Sequence, residues 1–167
     1  MMVRIVIALL ICASFVSSAE ARGRRGWGGG GGGAGGPNAA VALLSAPQWL
    51  VDQIKAEGET PAEQAVLALV NAERTHYGLA PVAIDRQLLY TARYQTWWMA
   101  TNSSMTHGQN PSENIAMGQT SPAHVMHSWM TSSGHRANIL NPRWRKIGIG
   151  AYHNTAGTIY WTQQFQP

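Results

Sequence analysis

The apolar positions of this chain fall into blocks with different periods, and the blocks define its organisation. The first is a continuous apolar run, Ile5 to Val16, preceded by Arg4 and followed by the small residues Ser17, Ser18 and Ala19. A short apolar run between a basic start and a small-residue cleavage site is the pattern of a secretory signal peptide, so residues 1–21 are expected to be removed after Ala19 or Ala21. The run is too short for a permanent membrane span, and no transmembrane anchor is expected after removal. From Arg22 to Gly36 the sequence is basic and then almost unbroken glycine. Such a segment buries too little surface to offset its ordering entropy and reads as a flexible linker.

Residues 37–59 carry apolar Val41, Leu44, Trp49 and Ile54 around Pro47 at loose spacing, which predicts a marginal helix or linker outside the main domain. The domain itself is expected over 60–167. Thr60-Pro61-Ala62-Glu63 is a helix start, with Thr60 as N-cap, Pro61 at the first helical position and Glu63 completing a capping box. Val66, Leu67, Leu69, Val70 and Tyr77 then keep the helical period up to Gly78. Asp85 caps a second helix running to about Thr101, and a polar loop holds Met105-Thr106-His107-Gly108 and Pro111 to Ala116. Ser121-Pro122 starts a third helix, and His135 to Leu140 is a short helical turn. The tail reads as two strands, Lys146 to His153 and Thr158 to Phe165, around a turn at Asn154 to Gly157. Helices followed by paired strands predict an α+β fold with an antiparallel sheet against helices.

Composition sharpens this picture at two points. Cys12 is the one cysteine and lies inside the leader, so the mature chain has no disulfide and is held by its core alone, with seven tryptophans and five tyrosines to supply it. The formal charge is +4, but Arg4, Arg22, Arg24 and Arg25 precede the domain, which is only mildly basic. No interleaving of basic and aromatic residues marks a nucleic-acid groove, and no nucleic-acid partner is expected.

Candidate chemistry rests on histidines. His107 lies in a glycine-flanked loop six residues before Glu113, and His135 follows Gly134. Two neutral imidazoles and a carboxylate can hold Zn²⁺ with one position open to water, while the same groups can equally cap loops. His124 and His127 share a face of the third helix and read as solvated surface; His76 suits a helix C-terminus. A nucleophilic mechanism has no cysteine and no Gly-x-Ser-x-Gly elbow, and a two-carboxylate glycosidase lacks a partner for Glu113.

Val70-Asn71-Ala72-Glu73-Arg74, Met105-Thr106-His107, Ser112-Glu113-Asn114-Ile115-Ala116, Trp129 to Leu140 and Ile147-Gly148-Ile149-Gly150 together resemble the CAP superfamily in its bacterial, disulfide-free branch. CAP groups the cysteine-rich secretory proteins, antigen 5 and pathogenesis-related proteins, the SCP-like extracellular domains. The resemblance runs from about Pro61 to Phe165. It implies a three-layer α-β-α sandwich with a central antiparallel sheet and an open cleft lined by His107, Glu113 and His135. It further implies that the two histidines can bind a divalent metal, often zinc, and a secreted, extracellular or periplasmic location. Ser132 stands where many eukaryotic members carry a second cleft glutamate. The loss of that carboxylate favours binding of a lipid, peptide or cell-wall component over the alternative, a metal-dependent hydrolase of peptide or cell-wall material with Glu113 as catalytic base. The residues leave the substrate, and whether the protein is an enzyme at all, open.

Overall fold

A computed structural model describes residues 46, 48–56 and 58–167. The expected leader, the linker over 22–36, and Val41 and Leu44 lie outside the described residues. The elements are α1 (Gln48–Ile54), α2 (Pro61–His76), β1 (Ala83–Ile84), α3 (Arg86–Asn102), β2 (Glu113–Met117), α4 (Pro122–Thr131), α5 (Ser133–Ile139), β3 (Lys146–His153) and β4 (Ile159–Gln166).

Local chemistry sets the helix starts. The Thr60 hydroxyl accepts from the Glu63 amide at 3.3 Å while the Glu63 carboxylate accepts from the Thr60 amide at 2.7 Å. Asp85 and Ser121 cap α3 and α4 in the same manner through their side-chain oxygens. Glu63 has a further partner: Arg93 on α3 reaches it through Nε at 2.8 Å and Nη2 at 2.7 Å, in a buried pair. Arg93 also donates to the carbonyls of Ile54, Ala56 and Gly58, which fastens the α1–α2 connection to α3. Helix α1 is therefore packed on the domain and does not stand outside it. Its buried face is Leu50 and Ile54, one turn apart, against Tyr94, and Trp49 is left exposed. Tyr77, counted with the apolar stripe of α2, is exposed as well, because α2 ends one residue before it and the chain turns away through Gly78 at φ +70°.

The sheet order is β1-β3-β4-β2. β3 and β4 form the expected hairpin, and β2 runs antiparallel to β4. The two-residue β1 pairs parallel with β3, which makes the sheet mixed, not wholly antiparallel. β2 replaces part of the expected polar loop. Glu113, Ile115 and Met117 fall on one face and Asn114 and Ala116 on the other, so neither face of β2 is uniformly apolar and the two-residue period is silent in the sequence.

Alternation along β3 builds the three layers. Ile147 and Ile149 enter a core with Val66 and Val70 of α2, Val125 and Trp129 of α4 and Ile139 of α5. Gly148 and Gly150 face the other way, onto α3. A Cβ at Gly148 would lie 2.1 Å from the Leu88 carbonyl, and one at Gly150 2.3 Å from the Thr96 hydroxyl, so the glycines set how closely α3 seats on the sheet. The result is α3 on one face and α2, α4 and α5 on the other, an α-β-α sandwich.

Candidate functional site

The site is assembled where β2 begins. Its register puts Glu113 beside Gln164 of β4, and Glu113 is 4% exposed. One carboxylate oxygen accepts from the Gly108 amide at 2.8 Å and lies 3.0 Å from His107 Nδ1; the other accepts from Gln164 Nε2 at 2.7 Å. The carboxylate is acceptor-only when ionised, so His107 donates through Nδ1, which in the neutral tautomer puts the lone pair on Nε2. His107 is otherwise open to solvent, its side chain 59% exposed. Gln95 of α3 steadies the same loop by donating to the Thr106 carbonyl at 2.5 Å.

His135 comes from the other side, on α5. Asn114, fully buried on β2, donates to the His135 carbonyl at 3.1 Å and to Gln163 at 3.2 Å. Asn138 donates to Asn114 Oδ1 at 2.9 Å and to the Glu113 carbonyl at 3.3 Å. These amides lock α5 to β2, so the helix that carries His135 and the strand that carries Glu113 are one unit. Burial first, and then the neighbouring His107, pull the His135 pKa below its ordinary value. Both causes favour the neutral form of the His135 imidazole.

A cleft of about 330 Å³ opens along β2, walled by Met105, Ile115, Met117, Trp129, Ser132 and His135. Ser132 joins α4 to α5, its amide donating to the Trp129 carbonyl at 3.2 Å. The structure therefore brings His107 and Glu113 into direct contact and puts Ser132 and His135 in one wall of the cleft. Among the described residues, no group of three or more His, Cys, Asp or Glu is arranged to hold a metal ion. Glu113 is engaged by His107, Gly108 and Gln164, and of the expected trio only His135 lines the cleft itself. His124, His127 and His153 are exposed and do not line this cleft. The sequence reading missed Gln164 and Gln95. The signal for Gln164 was three consecutive polar residues, Thr162-Gln163-Gln164, inside a strand, which marks buried polar contacts in place of core packing, whereas Gln95 within the apolar run of α3 carries no such pattern.

The lowered His135 pKa fixes the sign of a pH effect. The unfolded state takes up the proton at about pH 6.5, before the folded state does. Stability present above that pH is therefore expected to fall as the pH drops through the unfolded and then the folded value. His135→Asn should flatten that slope in urea melts between pH 7.5 and 5, and an unchanged slope would contradict the assignment.

The profile of the cysteine-rich secretory protein family, CAP, matches residues 67–165. The chain belongs to the CAP family. It is 39% identical over 122 residues to YkwD of Bacillus subtilis (strain 168), an alignment covering 62% of this chain and 46% of that protein. The chain thus spans about half the length of that curated relative. Among solved structures it resembles an outer surface protein from Borrelia burgdorferi, at 19% identity and TM-score 0.57, over 65% of this chain and 96% of that one. It also resembles an extracellular SCP-domain protein from Bacillus anthracis str. Ames, at 23% identity and TM-score 0.56, over 66% of this chain and 44% of that one. Both likenesses support the fold. The chain's single cysteine agrees with the disulfide-free form of the family. No helix among the described residues is long and apolar enough to cross a membrane.

Proposed function

We propose that this is an exported CAP-domain protein that binds a ligand in the cleft beside His107 and His135, with those two imidazoles as the protein ligands of a divalent cation such as Zn²⁺. The observation that carries the reading is the Glu113–His107 contact at 3.0 Å, which engages Nδ1 and leaves Nε2 as a lone-pair donor toward solvent. A carboxylate behind a ligating histidine fixes its tautomer and raises its basicity. His135 supplies the second donor in the neutral form that metal ligation requires. A bound cation would serve as a Lewis acid for an oxygen of the ligand, and water would complete its coordination. Apolar walls from Met105, Ile115, Met117 and Trp129 beside a polar end suit an amphiphilic ligand such as a lipid or a partly apolar peptide.

Export rests on the leader pattern over 1–21 and on relatives described as extracellular or outer-surface proteins. The hydrolase alternative is disfavoured because Glu113 is buried and already accepts from Gly108 and Gln164, so it is not free to take a proton from an attacking water. Ser132 in place of a second carboxylate points the same way.

The test is calorimetric titration of Zn²⁺ into the purified full chain. One equivalent should bind, with affinity reduced at least about 10-fold by His107→Ala and by His135→Ala and about 10-fold by Glu113→Gln. Absence of binding to the wild type, or binding indifferent to both histidine variants, would contradict the metal reading.

A further inference from the structure

A second cavity, of about 410 Å³, lies at the end of the sheet where β4 finishes, between α3, the 108–112 loop and Trp144. It is distinct from the cleft: none of Met105, Ser132 or His135 lines it. Its lining has a consistent chemistry. Gln87, Thr91 and Gln95 recur every fourth residue and form one polar stripe along α3. Gln164 and Gln166, two apart on β4, add amides from one face of the strand. Among the described residues, no charged side chain lines the cavity. Trp144 forms part of the wall, and its indole N–H is buried without a hydrogen-bond partner among the described residues.

We propose that this cavity binds a segment of a neutral oligosaccharide. A carboxamide carries donor and acceptor side by side, which matches a sugar hydroxyl that both donates and accepts. A phosphate or carboxylate ligand would find no cationic side chain among the described lining residues to compensate its desolvation. The volume falls within the range of small-ligand sites. The inner members of the lining are already oriented: Thr91 Oγ1 donates to Gln164 Oε1 at 2.6 Å, and Gln164 in turn donates to Glu113 at 2.7 Å. Gln87 and Gln166 are exposed at the rim and serve the ligand without holding the fold.

The probes are the β-1,4-linked tetramers of N-acetylglucosamine and of glucose, titrated to millimolar concentration into the ¹⁵N-labelled full chain. At least one should give saturable shifts of the Trp144 indole N–H, assigned through Trp144→Phe, and of the Gln87 and Gln166 amides. The double variant Gln87→Ala/Gln166→Ala should weaken that binding at least about 10-fold, the loss of two or more hydrogen-bonding groups. His135→Ala should leave it unchanged, which separates this site from the cleft. No saturable shift with either tetramer, shifts confined to residues lining the cleft, or full affinity in the double variant would each overturn the proposal.

Discussion

Arg74→Ala is expected to cost at least about 3 kcal/mol and to leave the domain largely unfolded in mild denaturant. Arg74 is completely buried in α2, and its guanidinium hydrogen-bonds to backbone carbonyls: those of Ala80 at 2.9 Å, Ile139 at 2.7 Å, Asn141 at 2.9 Å and Trp144 at 3.2 Å. One side chain thereby gathers the α2–β1 connection, the end of α5 and the approach to β3. Burial, and then the charge of Arg145, lower its pKa. Removing it strands several carbonyls, at about 1–3 kcal/mol for each that water cannot reach, in a domain whose whole stability is of the order of 5–15 kcal/mol. Arg74→Lys should recover little, because an ammonium has no planar fork to span these acceptors. Urea denaturation followed by tryptophan fluorescence checks this. A loss below about 1 kcal/mol for Arg74→Ala would show that these carbonyls find other partners.

Gly148→Ala is expected to cost about 1–3 kcal/mol or more, as an overpacked interface. Its Cβ would lie 2.1 Å from both the carbon and the oxygen of the Leu88 carbonyl and 2.6 Å from the Leu89 nitrogen. Those are backbone atoms in the first turn of α3, so no rotamer change relieves the clash and the helix must lift from the sheet. Gly134→Ala on α5 is the control, since nothing lies within 4 Å of a Cβ there. That substitution should be neutral or stabilise by up to about 1 kcal/mol. Thermal melts of the two variants should diverge, and similar melting temperatures would contradict the close-contact account.

What was legible in the sequence was local chemistry with a fixed offset. Thr60-Pro61-Glu63, Asp85 and Ser121-Pro122 act within one helical turn, and each marks a helix start that the structure confirms. The hairpin was legible because Asn154 organises its own turn, its side chain accepting from the Ala156 and Thr158 amides. What escaped depends on partners distant in the chain. Glu113 reads as a free cleft acid until the β2–β4 register places Gln164 against it, 51 positions later. Glu63 reads only as part of a capping box, and its buried pairing with Arg93, 30 positions later, has no local signal. Helix α1 is a short segment of 7 residues whose apolar face, Leu50 and Ile54, is too brief to show a period. Of the candidate site, the contact between His107 and Glu113 joins residues the sequence singled out, whereas the engagement of Glu113 by Gly108 and Gln164 depends on loop and strand geometry that the sequence does not display.

The central claim is that His107 and His135 act on one ligand together, with Glu113 holding His107 by Nδ1. Long-range ¹H–¹⁵N correlation spectra of the histidine rings at pH 7.5 test it most directly. The account predicts His107 as the Nδ1–H tautomer before Zn²⁺ is added, and ring nitrogens of both His107 and His135 shifting together to saturation at one equivalent. A different His107 tautomer, or a response by only one of the two rings, would contradict it.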